Sequence, residues 1–189
     1  MTHSLDLSLI KVLVPWDHPV LDWTMIAMSA AGNGAGLWLG LGMAGLVEPR
    51  WRAAAWRLLL TIGLTLLIVD GAIKPIVARA RPVALQTAAA RSLPVIPPSY
   101  SFPSGHTASS VAAAVALSRM WPAGRVVWWT LAALMAYSRV YLGHHYPLDV
   151  VGGAVVGLLS ALWVLGGRHP ATSAQTLPRS LPPGVVIRP

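Results

Sequence analysis

SRVYLGHHYPLD, residues 138–149, stands between two of the most apolar stretches of a chain that is 55% hydrophobic. An arginine, two histidines and an aspartate are each costly in hydrocarbon. Such a segment either lies at the water boundary or holds charges that serve a purpose. Apolar blocks flank it at residues 126–141 and 148–166, and two more run over residues 53–73 and 104–120. Each approaches the ~20 residues that a bilayer crossing needs. A fifth block, residues 25–47, contains Gly32, Gly34, Gly36, Gly40, Gly42 and Gly45, which suits close helix packing in lipid. Residues 4–14 alternate less clearly, and Pro15 and Pro19 end any helix there. That piece reads as an interfacial amphipathic helix, with a sixth crossing from near Leu5 as the alternative. The expected fold is all-α: an integral-membrane bundle of five to six spanning helices with an N-terminal interfacial helix. Its divisions are an interfacial segment at 1–20, a membrane-embedded domain at 21–167 and a cytoplasmic tail at 168–189.

Only 11% of the 189 residues are charged and the mean hydropathy is +0.61, far from an ordinary soluble protein. The net charge of +8 raises nucleic acid as a partner. However, the basic residues are scattered between apolar blocks, with no basic helix or aromatic-interleaved patch, so nucleic acid is set aside. Arginine-marked loops of a membrane protein explain the charge better. The absence of cysteine excludes disulfides and thiolate metal sites. MTHSLDLSLIKVLV has no basic start and no small-residue cleavage site, which argues against a removable signal peptide. If the spans alternate, Arg50, Arg52, Arg57, Arg119, Arg125 and the three arginines of the tail share one side, which the positive-inside rule makes cytoplasmic. Trp51, Trp56, Trp121, Trp128, Trp129 and Trp163 fall near that boundary. Residues 170–189, rich in Pro, Ser and Thr, have little to bury and are expected to be disordered.

Three polar clusters interrupt the apolar blocks, all at the opposite, extracytoplasmic surface by the same alternation. They are KPIVARARP with Lys74 and Arg81, PSGH at residues 103–106, and the opening stretch with Arg139, His145 and Asp149. Lys74, Arg81 and Arg139 supply a positive field and many N–H donors, which suits a phosphate. Ser104 and the Gly105 amide open a helix, whose N-terminus favours an anion. Two histidines in different clusters permit one to attack phosphorus while the other protonates the leaving oxygen. Asp149, one helical turn after His145, is spaced to hold the imidazole tautomer. No carboxylate cluster offers a metal site, and the cations would neutralise transition-state charge in place of one.

Lys-(six residues)-Arg-Pro, then Pro-Ser-Gly-His, then Ser-Arg-(five residues)-His-(three residues)-Asp resembles the type 2 phosphatidic acid phosphatase superfamily. The pattern stands complete as Lys74…Arg81-Pro82, Pro103-Ser104-Gly105-His106 and Ser138-Arg139…His145…Asp149. The resemblance implies that His145 is the nucleophile, forming a phosphohistidine, that His106 protonates the leaving group, and that Asp149 polarises the nucleophile. Lys74, Arg81, Ser104, Gly105 and Arg139 are then the phosphate-binding residues, with no metal and no cofactor. Short membrane-embedded bacterial members imply a lipid phosphate substrate in the bilayer of the cell membrane. Undecaprenyl diphosphate leads, with phosphatidylglycerophosphate and phosphatidic acid behind it, and no oligomeric state is implied.

Taken singly, the histidines read as ordinary interfacial residues; only the ordered set carries the chemistry. His144 falls on a variable position and reads as an interfacial neighbour, Arg79 as a headgroup contact, and Asp70 as an ion-pair partner for Lys74, four residues on. Tyr100, Phe102 and the loop at 83–101 are candidates to touch a headgroup. Two other functions compete: a non-catalytic transporter or lipid-binding protein keeping an anion site, and a halide-oxidising enzyme holding vanadate. An intact set of His106, His145 and Asp149 speaks against the first, and the spanning helices against the second.

Overall fold

A computed structural model describes residues 2–14, 18–82 and 99–166, and the described residues contain helices and no strand. The 168–189 tail and most of the 83–101 loop lie outside the described residues. The helices are α1 (Thr2–Leu13), α2 (Pro19–Ala31), α3 (Gly36–Val47), α4 (Pro49–Ile68), α5 (Gly105–Met120), α6 (Arg125–Tyr141) and α7 (Pro147–Gly166). Prolines open α2, α4 and α7, where a fixed φ and a missing N–H cost nothing.

The glycine-rich block expected as one span is broken. α2 and α3 meet at a 57° bend, across a turn at Asn33–Ala35 in which Gly34 takes φ 56°. An Asn-Gly pair is a strong turn signal, and here it overrides the apolar run around it. α4 ends differently. It continues through a wide π turn, Val69–Ile73, into a last turn, Lys74–Val77. Pro75 has no N–H to return to Gly71, and its ring crowds that carbonyl, which accounts for the widened turn. Ala78, at φ 47°, closes the helix with its N–H on the Lys74 carbonyl at 2.9 Å.

α5 is the axis of the bundle. Every residue from Thr107 to Leu117 is buried, and most are Ala, Ser or Val. Small side chains bring backbones close, and α7 answers with glycines. A Cβ on Gly153 would stand 2.5 Å from the Ser104 carbonyl oxygen, and one on Gly157 would run into the Ala108 carbonyl. On the other flank Trp38 of α3 is fully buried, its indole N–H donating to Ser110 Oγ at 2.9 Å. α4 and α5 run antiparallel: Trp51 at the start of α4 stacks on Trp121 at 5.8 Å, just past the end of α5. The end of α4 therefore meets the start of α5, and that end holds the polar clusters.

Leu60 and Leu67 on α4, and Val151, Val155, Leu159 and Trp163 on α7, face outward. Pro49–Val77 and Pro147–Gly166 are long and apolar enough to cross a membrane, and the bent α2–α3 pair qualifies if taken as one crossing. α5 and α6 form where two further spans are expected but are 16 and 17 residues long, so length alone does not supply the five to six crossings.

Candidate active site

Six of the eight residues singled out by the motifs line one cavity of about 610 Å³: Lys74, Arg81, Gly105, His106, Arg139 and His145. They come from the end of α4, the stretch after it, the start of α5, the end of α6 and the loop before α7. The other two stand directly behind them. Ser104 caps α5, its Oγ accepting from the Thr107 N–H at 3.4 Å and the Thr107 hydroxyl at 3.0 Å. Asp149 lies in the first turn of α7 and accepts the Tyr146 N–H at 2.9 Å, the return arm of a capping box. The Ser104 N–H donates to the Asp149 carbonyl at 2.9 Å, tying the two helix starts together.

The cations are held before any anion arrives. Lys74 donates to Asp70 at 2.6 Å, the pair expected from their spacing, and its Nζ lies 3.8 Å from where a Gly105 Cβ would stand. Arg81 donates through Nε to the Ser99 carbonyl at 2.8 Å and through Nη2 to the Ser99 hydroxyl at 2.7 Å. Its Nη1 donates to the His144 carbonyl at 3.0 Å and meets His145 Nε2 at 3.1 Å. Arg139, 4% exposed, donates to the Ser29 hydroxyl, and its Nε has no partner among the described residues.

One contact settles which nitrogen of His145 is free. A guanidinium only donates, so the Nε2 that faces Arg81 presents a lone pair and the proton sits on Nδ1. Nδ1 points to Asp149, but Oδ2 lies 3.7 Å away, beyond hydrogen-bond reach. Ser101 stands between them, its hydroxyl donating to Asp149 Oδ2 and lying 3.5 Å from Nδ1. The direct His–Asp pair expected from one helical turn is thus bridged, because His145 precedes α7 instead of lying on it. His145 is 2% exposed. Burial chiefly, with Arg139 and Arg81 adding and Asp149 opposing, pushes its imidazole down to about 3, so at neutral pH it is the uncharged form that faces the cavity.

His106 opens α5, and its Nε2–H donates to Asn33 Oδ1 at 3.2 Å. The bend between α2 and α3 forms its socket: a Cβ on Gly32 would lie 2.6 Å from His106 Cδ2.

Two minor readings need correction. His144 is 4% exposed, lines the same cavity, and neither ring nitrogen has a partner among the described residues. Burial first, then Arg139, pushes it down to about 3, which suits an inward neutral ring and not an interfacial one. Arg79 also turns inward, donating to Asp149 Oδ1 and Asp6 Oδ2, both at 2.5 Å. Burial works against its charge, but the two carboxylates hold the guanidinium above its usual range. Ser29, Asn33, Ser101 and Asp6 are absent from the motif reading. Only Asn33 carried a sequence signal, its Asn-Gly turn inside an apolar block.

The chain is 36% identical over 132 residues to the decaprenylphosphoryl-5-phosphoribose phosphatase of Mycolicibacterium smegmatis, covering 67% of this chain and 68% of that protein. It is 39% identical over 62 residues to the undecaprenyl-diphosphatase BcrC of Bacillus subtilis, 31% of each chain. The first curated relatives are matched over less than a third of their own length, 26% and 31%. The crystal structure of the transmembrane PAP2-type phosphatidylglycerolphosphate phosphatase from Bacillus subtilis superposes with a TM-score of 0.69 and 27% identity, covering 87% of this chain and 85% of that one. Residues 54–172 match the model of the PAP2 superfamily. With well over half of its length inside that match and the motif residues gathered on one cavity, this integral-membrane helical chain belongs to the PAP2 superfamily.

Proposed function

We propose that this protein is a lipid phosphatase working through a phosphohistidine. His145 Nε2 attacks phosphorus, the bond from phosphorus to the lipid-side oxygen breaks, and His106 gives that oxygen a proton. Water then attacks the phosphohistidine, with His106 taking its proton, and free phosphate leaves with both histidines restored. Lys74, Arg81 and Arg139 hold the non-bridging oxygens and offset the charge that spreads over them in transfer; the Ser104 hydroxyl and the Gly105 amide add donors. Asp149 steadies the positive charge that grows on His145. The reading is carried chiefly by the Arg81–His145 contact, 3.1 Å, which aims the lone pair of a neutral nucleophile at the place where an arginine would hold phosphate.

Within the class of lipid phosphates we favour undecaprenyl diphosphate, losing its terminal phosphoryl group. A polyprenyl-linked sugar phosphate is the second reading, favoured by the 132-residue alignment with a protein named for such a substrate. The cavity would open to the extracytoplasmic side of a bacterial cell membrane, since Arg50, Arg52, Arg119 and Arg125 gather at the opposite end of α4, α5 and α6. Phosphate release by the purified protein in detergent with EDTA present tests the proposal. The panel is undecaprenyl diphosphate, decaprenylphosphoryl-5-phosphoribose, phosphatidylglycerophosphate and phosphatidic acid. Turnover that survives EDTA and is inhibited by vanadate, a mimic of the transferring phosphoryl group, is expected. Activity lost on chelation and restored by Mg²⁺ would overturn the metal-free step.

A further inference from the structure

Among the described side chains of helix α1, one ends inside the bundle. Asp6 is 0% exposed. The Leu148 N–H, in the first turn of α7, donates to Asp6 Oδ1 at 3.0 Å, and Arg79 Nη2 donates to Oδ2 at 2.5 Å. The other arm of the guanidinium reaches Asp149 Oδ1, also at 2.5 Å. The Tyr146 ring holds Arg79 from its face, with the guanidinium carbon 4.2 Å from the ring centroid. Asp6 therefore touches both the arginine that grips Asp149 and the backbone one residue before it.

Charge counting shows what this arrangement does. One guanidinium between two buried carboxylates leaves the cluster with one net negative charge. It stands behind His145, whose Nδ1 faces Asp149 Oδ2 at 3.7 Å. On the cavity side of the ring Lys74, Arg81 and Arg139 attract phosphate oxygens but oppose the positive charge that grows on the imidazole as it takes up phosphorus. In a water-poor site that opposition is strong, and a fixed negative charge behind the ring offsets it. Without the Asp6 carboxylate the Arg79–Asp149 pair sums to zero, and both arms of Arg79 are free to close on Asp149 and draw it from the histidine.

We propose that Asp6 is a positioning residue of the phosphoryl-transfer site: by sharing Arg79 with Asp149 it keeps that carboxylate behind His145 and the cluster net negative. The inference rests on the phosphatase reading above, and it makes α1 part of the catalytic unit.

The test uses the full-length protein in detergent, with an activated aryl phosphate and undecaprenyl diphosphate as substrates. Wild type and His145→Ala come first. Phosphate released by wild type and not by His145→Ala upholds the phosphatase reading whatever Asp6 does, while an inert wild type overturns that reading and this inference together. Asp6→Asn is then expected to lower kcat about tenfold on both substrates, near the lower end for losing an outer partner of an active group, with KM within about twofold. Asp6→Glu should recover most of the loss. The Asp6→Asn/Arg79→Gln double variant should be no slower than the slower single variant, because the two act through one contact. A wild-type kcat in Asp6→Asn, a loss confined to KM, a glutamate no better than asparagine, or losses that multiply in the double variant would overturn the proposal. Should Asp6→Asn not fold, Arg79→Lys reads the same quantity, since an ammonium keeps the charge but lacks the fork. A lower kcat at constant KM is expected there, and an unchanged kcat overturns the idea.

Discussion

His106 and His145 share one cavity but are held by different partners, and their variants should differ accordingly. In the proposed mechanism His145→Ala removes the atom that accepts the phosphoryl group, and it should abolish turnover on every substrate. His106→Ala should cost about 10²–10⁴-fold with a lipid leaving group, the usual scale of general acid catalysis, and far less with an aryl phosphate that leaves as a stable phenolate. Equal losses for both variants on the aryl substrate would reverse the assignment of acid and nucleophile. Asn33→Leu should be a weaker copy of His106→Ala, because it removes the acceptor that orients Nε2–H at 3.2 Å. On the lipid it should lose about tenfold, a fraction of what the acid itself supplies, and on the aryl ester almost nothing. Steady-state rates on the two substrates decide this. A uniform loss would mean that Asn33 supports the fold and not the acid.

The seam between α5 and α7 is where an element's packing governs the site. Gly157 sits against the Ala108 carbonyl and Gly153 against the Ser104 carbonyl, so added methyl groups must push the helices apart. Gly157→Ala should destabilise by about 1–3 kcal/mol, the range for overpacking a close contact. Gly153→Ala should in addition slow turnover, because Ser104 starts the helix that carries Gly105 and His106. Gly63 is the control: it is exposed on α4 with nothing within 4 Å of a Cβ. Gly63→Ala should stabilise by about 0.5–1 kcal/mol, the helix-interior preference for alanine. Thermal unfolding of the three variants in one detergent reads the contrast. A Gly157→Ala protein as stable as wild type would show that the seam tolerates more space than its geometry implies.

For the whole molecule, the two neighbouring histidines 144 and 145 contribute to how stability depends on pH. Both are pushed down to about 3 in the folded chain, while an unfolded histidine titrates near 6.5. Between those values the unfolded chain binds protons that the folded chain refuses, so stability is complete above about pH 6.5 and falls as the pH drops through that window. The melting temperature should be lower at pH 5 than at pH 7.5, and His144→Phe should flatten the difference by one proton's share. A melting temperature that does not change with pH would remove the histidines from the account. The orientation proposed for the cavity is equally open to measurement, because the chain has no cysteine of its own. A single cysteine placed between residues 83 and 98 should react with an impermeant thiol reagent in intact cells, and one at Gln175 should not. The reverse pattern would invert the topology.

Composition and spacing alone determined that this chain is a helical membrane protein, and motif order singled out eight residues, six of which line one cavity. Apolar run length and motif order are one-dimensional properties, and bilayer thickness and helix periodicity translate them directly into structure. Lys74, Arg81, His106, Arg139 and His145 line one cavity because each sits at, or a few residues beyond, the same end of an alternating helix. The partners of those residues had no such signal. Asp6 reaches Arg79 and the backbone of Leu148 across 73 and 142 residues, and Asn33 reaches His106 across 73. Ser101 comes between His145 and Asp149 although those two are one turn apart in sequence. Only the packing of α1 on the start of α7, and of the α2–α3 bend on the start of α5, decides these contacts. Hydrogen bonds of about 3 Å depend on where separate elements come to rest, and no local pattern of residues encodes that distance.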